Sequence, residues 1–398
     1  MQPQQCQCGG NTPRVSGAEQ PCCSAETAHV NSLTPQKRSC NSNVSRAELR
    51  FVLPSSHSTH GVCGRPGQLL HSVCWKCIEP DTTGCFGCGL FLLSQCEGSS
   101  LNFGVRWQKI TIVGVGLLGG SIGLAVRKNR LARHVVGFVR REASIADCRQ
   151  TGAVSHATLD IEEAVSDADL VVLCTPIGQM RSLAEQFVHV LKPGAVVTDV
   201  GSVKLPVVRQ LEPLIANAGA HFVGSHPMAG SEKAGVHAAR ADLFNCAVCV
   251  ITPTPRSHKP AVRQLEQFWH AIGARTIKLD PAKHDALVGF SSHLPHVVAA
   301  ALARRVLDPA RPKEQALLCA EGFKDTTRVA SSSPEMWSDI AVANKRNLAR
   351  AIDMFIAELR AFRFALDRDD ARALTKFFDT AKSRRDAWCA ARQTTTGR

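Results

Sequence analysis

The chain has 398 residues, 44% of them apolar, and a formal net charge of +13, which allows two or three domains and a large buried core. Its Lys and Arg residues are scattered and its aromatic content is only 5%, so nucleic-acid binding lacks stacking partners and the basicity reads as attraction for dinucleotides and carboxylates. No run reaches the roughly eighteen apolar residues of a membrane span and no charged-then-apolar signal opens the chain, so the expectation is a cytoplasmic protein without a membrane partner.

Residues 1–105 form the first part. Eleven of the 17 cysteines (Cys6, Cys8, Cys22, Cys23, Cys40, Cys63, Cys74, Cys77, Cys85, Cys88 and Cys96) fall there, among Ser, Gln, Gly and Pro with almost no apolar periodicity. Such a segment buries too little surface to offset chain entropy and reads as a disordered extension. Cys74-Trp-Lys-Cys77 and Cys85-Phe-Gly-Cys88 have the form of thiolate pairs for zinc, with a shorter loop than usual between them. Unpaired cysteines are the alternative, and no metal is assigned. A start at Val105 is a further reading, because no methionine stands between Met1 and Met180.

A Rossmann dinucleotide-binding domain is expected over residues 106–281. From Lys109 a short apolar strand runs through Gly114, Gly116, Leu117, Leu118 and Gly119 into a helix, which is the G-x-G-x-x-G fingerprint in its strand–turn–helix context. Gly114 permits the turn, Gly116 lets backbone approach a pyrophosphate, and Gly119 lets the helix lie close on the strand. Strands follow near His134–Val139, Leu170–Cys174, Ala195–Asp199 and His221–Val223, with helical segments between, as in a doubly wound parallel sheet. The second strand ends not in an acid but in Arg140 and Arg141, followed by Glu142. Arginines there suit a 2′-phosphate, so NADP is favoured over NAD, with adenine stacking as the non-discriminating alternative.

Three later strand ends carry polar groups at the carboxyl edge, where open α/β sheets bind ligands. Cys174, Thr175 and Pro176 close the fourth strand. Ser202 and Lys204 follow the next, Ser202 being suited either to ligand contact or to helix capping. His226 then stands in a glycine-bounded loop, Val223-Gly-Ser-His-Pro-Met-Ala-Gly, and is the candidate to accept the proton of a substrate hydroxyl while hydride leaves the same carbon. Farther on, Val288–Leu307 reads as a buried Ala-rich helix with His293 and His296 one turn apart, either satisfied core histidines or cleft residues. Arg328 offers a planar fork for a carboxylate, or is a surface arginine. Leu348, Ile352, Phe355, Leu359 and Phe362 make one apolar helix face for a bundle or a dimer.

The glycine fingerprint, Cys-Thr-Pro, Asp-Val-Gly-Ser-Val-Lys, Gly-Ser-His-Pro-Met-Ala-Gly, Ser-His-Leu-Pro-His and Gly-Phe-Lys-Asp-Thr-Thr-Arg occur in that order from Lys109 to Trp388. The ordered set resembles the prephenate and arogenate dehydrogenase family. The resemblance implies oxidative decarboxylation of a cyclohexadiene acid with NAD or NADP, and a helical substrate and dimerisation domain, taken as residues 282–389 with a tail at 390–398, in a homodimer. It implies that His226 bonds the ring hydroxyl, that Ser202 orients it and that Arg328 binds a substrate carboxylate. Glu232, His284, His296 and Asp325 are implied around the substrate. No residue decides between prephenate and arogenate. A β-hydroxyacid dehydrogenase would lack the Gly-Ser-His-Pro-Met segment, and a non-catalytic nicotinamide sensor would have no use for His226.

Overall fold

The computed structural model describes residues 107–396 apart from Glu232. The cysteine-rich segment with its two Cys-x-x-Cys pairs, and Glu232 among the expected substrate residues, lie outside the described residues.

The Rossmann part opens with β1 (Trp107–Val113), α1 (Leu117–Lys128), β2 (Ala132–Phe138), α2 (Glu142–Thr151), β3 (His156–Thr158) and α3 (Ile161–Val165). It continues through β4 (Leu170–Leu173), α4 (Ile177–Phe187), β5 (Val196–Asp199), α5 (Leu205–Asn217) and β6 (His221–Phe222). The six strands lie parallel in the order β3-β2-β1-β4-β5-β6, so the chain direction switches beside β1. Period-2 alternation explains the layers. Ile110, Ile112, Leu170 and Val172 face one core with Ile122, Phe244 and Trp269, while Val113, Val171, Leu173 and Val197 face the other with Phe187 and Leu211. Burial on both faces is what parallel strands require.

A second sheet follows: β7 (Gly224–Pro227), β8 (Val248–Thr252), α6 (Lys259–Ala271) and β9 (Arg275–Lys278), with β7 antiparallel and β9 parallel to β8. His226 therefore sits on a strand, not in the loop expected from its flanking glycines. Pairing with Val250 holds it there.

The helical part comprises α7 (Pro281–Val288), α8 (Leu294–Val306), α9 (Lys313–Leu317), α10 (Glu321–Thr327), α11 (Pro334–Ala343), α12 (Lys345–Leu366) and α13 (Ala371–Thr396). A π turn at Gly289–His293 joins α7 to α8. Two expectations change here. The stretch expected to be a buried helix is broken by that turn, and in α8 only Ala299 is buried; among the described residues its other apolar side chains are mostly only partly covered. In addition Pro281–Val306 is, by length and composition, long and apolar enough to cross a membrane, although it carries the buried His284, Asp285 and His293. Helix α13 runs past residue 390, where the sequence reading begins a tail.

The stripe on α12 is only partly covered: Leu348 is buried, whereas Leu359 is half exposed, as are Phe364, Phe378 and Trp388 nearby in sequence.

Close packing of α1 on the sheet rests on small residues. A Cβ at Gly123 would fall on the carbonyl oxygen of Ala153, a backbone atom that cannot swing aside. Gly123→Ala is expected to cost about 1–3 kcal/mol through overpacking, read as a lower urea midpoint at unchanged slope; an unchanged midpoint would show that the helix lifts freely.

Candidate active site

Parallel register brings the carboxyl ends of three strands level, since Val113 pairs with Leu173 and Leu173 with Asp199. The segments that follow them therefore lie side by side at one edge of the sheet, beside the switch in strand order where such folds bind ligands.

The first segment is the glycine turn. Gly114 has φ +97, and a Cβ there would stand 2.9 Å from Thr175 Cγ2; at Gly119 a Cβ would strike the Gly114 carbonyl, while at Gly116 it would meet nothing within 4 Å. Open space at the middle glycine is room for a phosphate. Helix α1 begins there with no side-chain cap on its first N–H groups, and that helix end favours an anion. Beside it the Thr175 hydroxyl is buried without a hydrogen-bond partner, an orphan that a bound nucleotide would satisfy. Burial pushes the Cys174 thiol up, so it stays protonated, and Pro176 caps α4. Leu117 and Leu118 open α1, both half-buried. Arg140 and Arg141 are exposed at the end of β2, with Arg140 Nη1 3.4 Å from Gln179 Oε1. These residues fit a dinucleotide, and both arginines are exposed beside the glycine turn's sheet edge.

The second segment is built on a buried ion pair. Lys204 Nζ bonds Asp199 Oδ2, both side chains being 0% exposed, and donates to the Ser225 carbonyl at 2.7 Å. Ser225 in turn gives its Oγ proton to the Asp199 carbonyl at 2.7 Å. The pair thus ties β5 to β7 one residue before His226.

His226 is 7% exposed. Its Nδ1 lies 2.9 Å from His284 Nε2, and His284 Nδ1 lies 2.8 Å from Asp285 Oδ1. Burial, then the neighbouring His284, Lys204 and His293, hold the His226 imidazole well below its ordinary 6.5, so it is a neutral ring able to accept a proton. Ser202, half-buried, lies beside His293. The helix-capping reading of Ser202 does not hold: Lys204 is the cap residue of α5, and the free N–H groups of Lys204 and Leu205 go to Asp285 at 2.7 and 2.9 Å.

His284 needs a second correction. It is 0% exposed with both ring nitrogens engaged, so it stands behind His226 and has no nitrogen left for a substrate.

His293 Nδ1 accepts from Asn344 Nδ2 at 3.0 Å, which leaves the proton on Nε2, toward the Ser202 backbone. Burial lowers its pKa to about 4. His296 stacks on Trp337 at 3.7 Å between centroids and is lowered first by burial, with the Arg328 charge close enough to contribute. Arg328, on the turn after α10, is exposed. Asp325 is exposed on α10, and Lys324 pairs with Glu321 at the surface. The structure thus gathers His226, His284, Ser202 and His293, sets His296 near Arg328, and leaves Asp325 in solvent. Sequence reasoning missed Asp285, Asn344 and Trp337. The adjacent His284-Asp285 pair is visible as a dipeptide, but nothing local shows that the carboxylate reaches α5.

The protein-family model of the prephenate dehydrogenase nucleotide-binding domain matches residues 122–278, and that of the prephenate dehydrogenase dimerization domain matches residues 280–380. Prephenate dehydrogenase of Bacillus subtilis is 35% identical over 70% of this chain and 75% of its own length. Among solved structures, prephenate dehydrogenase from Aquifex aeolicus in complex with hydroxyphenyl propionate and NAD+ is 32% identical over 70% of this chain and 98% of the other, with a TM-score of 0.66. Synechocystis arogenate dehydrogenase is 28% identical, with a TM-score of 0.61, over 71% of this chain and all of the other.

Because its pKa is depressed, the His226 ring is expected to stay uncharged as pH falls through 6.5. Titration of its ring resonances by NMR would show this, and a midpoint at or above 6.5 would contradict it.

Proposed function

This chain belongs to the prephenate dehydrogenase family, and from that premise we propose that it catalyses the NAD(P)-dependent oxidative decarboxylation of prephenate to 4-hydroxyphenylpyruvate, or of arogenate to tyrosine. The observation that carries the reading is His226, a buried neutral imidazole whose Nδ1 is tied to His284 and whose Nε2 is left to meet a ligand.

The bound nicotinamide supplies the hydride acceptor. The chain's own residues do the rest. His226 draws off the proton of the ring hydroxyl, a contribution worth about a hundredfold to ten-thousandfold, and Ser202 orients that hydroxyl. Arg328, on the helical part beside His296, binds a carboxylate of the substrate through its planar fork. Loss of carbon dioxide from the para position aromatises the ring, so the step is steep, and the protein's task is placement and charge neutralisation.

For the cofactor we infer NADP. Two exposed arginines, ahead of Glu142, follow the end of β2 and suit a 2′-phosphate better than a 2′-hydroxyl. The half-exposed apolar residues of α12 and α13 support a homodimer formed through residues 282–389, with the dinucleotide domain at 106–281. A cytoplasmic location follows from the same reading.

The decisive assay offers prephenate and arogenate with each of NAD and NADP. His226→Asn is expected to lower turnover at least about a hundredfold with little change in cofactor affinity, and near-normal turnover would remove its role. Arg328→Ala should chiefly raise KM for the acid substrate. Replacing Arg140 and Arg141 together with Ala should raise KM for NADP about tenfold or more while KM for NAD barely moves; equal effects on both would leave the arginines without a part in discrimination.

A further inference from the structure

Both oxygens of Asp285 receive backbone N–H groups, Oδ1 from Lys204 and Oδ2 from Leu205. Amides only donate, so this carboxylate is fixed as an acceptor, and the bond at Oδ1 from His284 must come from an Nδ1–H. A neutral His284 then has its lone pair on Nε2, 2.9 Å from His226 Nδ1. His226 must donate there, and its own lone pair is left on Nε2. A hydrogen bond at one ring nitrogen sets the chemistry of the other.

We propose that Asp285 is a positioning residue for the reaction: acting through His284, it holds His226 in the tautomer whose Nε2 accepts a proton, and it neutralises the cation formed when that proton arrives. The proposal rests on the reading of His226 as the base. In the step, the substrate O–H bond breaks and an N–H bond forms at His226 Nε2. The His226 Nδ1–H bond breaks and one forms at His284 Nε2. One proton moves in and one moves on, and the positive charge rests on His284 against the Asp285 carboxylate.

The surrounding charges favour that destination. Groups bearing on His226 are Lys204 and Asp199 from the β5–α5 segment, His284 and Asp285 from α7, and His293 from the π turn; Cys249, on β8, is held protonated by burial. Lys204 opposes a cation on the His226 ring itself, its attraction to Asp199 notwithstanding. One ring farther back, the cation would touch a carboxylate. Asp285 is itself braced across the chain, since its carbonyl accepts from Asn344 Nδ2 at 2.9 Å while its side chain caps α5. The relay is therefore held from both the Rossmann part and the helical part.

The test joins two measurements on the holoenzyme loaded with NADP or NAD. Ring nitrogen shifts of histidine-labelled protein, assigned with His226→Asn and His284→Gln, should show His226 protonated at Nδ1 and bare at Nε2. The opposite tautomer would overturn the proposal, and this readout needs no altered protein at Asp285. In Asp285→Asn, turnover of whichever of prephenate and arogenate the enzyme accepts should fall about tenfold to a hundredfold. KM and cofactor affinity should stay within about threefold. The acidic limb of its kcat–pH profile should move to lower pH, because a histidinium deprived of its carboxylate gives up its proton more readily. Turnover within about twofold of the parent, or a fall in turnover with the acidic limb unmoved, would overturn the relay. Should His226→Asn keep its turnover, it is the reading of the base that fails; should His226→Asn lose turnover while Asp285→Asn keeps it, only the relay fails.

Discussion

Everything at the sheet edge depends on one buried ammonium. Lys204 has no exposed surface, and its charge is matched by Asp199 and the Ser225 carbonyl. Withdrawing a single partner from such a pair costs about 3–5 kcal/mol, because the other charge stays in the interior unmatched. That penalty is what fixes the end of β5 to the start of β7. The strand carrying His226 is thereby held at the edge by an electrostatic constraint, and the hydrophobic cores on either face of the sheet need only bring the strands to within reach of it.

From this anchor the polar groups spread into the helical part. Asp285 accepts from the N–H groups of Lys204 and Leu205, and Asn344 donates its Nδ2 to the Asp285 carbonyl while its Oδ1 accepts from Asn347 Nδ2. The buried donors of that chain find acceptors, which is how buried polar groups normally behave. The consequence is a cleft whose two walls share hydrogen bonds. Asp285 is bonded to both, so the residue behind the base is tied to each wall at once.

What the sequence makes legible is local. The turn at Gly114 to Gly119 shows itself because the strand, the glycines and the helix are contiguous, and the strand ends at Cys174, Asp199 and His226 follow from apolar runs closed by polar residues. The order of motifs points to the family without any geometry. Contacts between distant residues do not show. Asp285 meets Lys204 across 81 positions and Asn344 meets Asp285 across 59, and no periodicity reports such pairings. His226 was expected in a loop because glycines flank it, yet pairing with β8 overrides that local signal. His284 carries the character of a ligand residue in sequence, and only its two ring bonds reveal that it faces inward. The helix after Val288 misleads in the other direction: its composition suits an interior, whereas among the described residues most of its apolar side chains are only partly covered.

The π turn at Gly289–His293 has an arithmetic consequence. It inserts the equivalent of one extra residue in the winding, and each residue of an α-helix advances the phase by about 100°. His284 and Asp285 precede the insertion and His296 follows it, so the wider turn decouples the azimuth of the buried pair from that of the residue stacked on Trp337. A regular helix through the same sequence would rotate one of these groups out of register with its partners. Deleting one residue between Gly289 and Ser292 would remove that extra step, so that a regular helix could keep both groups in phase, at the expense of the wider turn that carries His293.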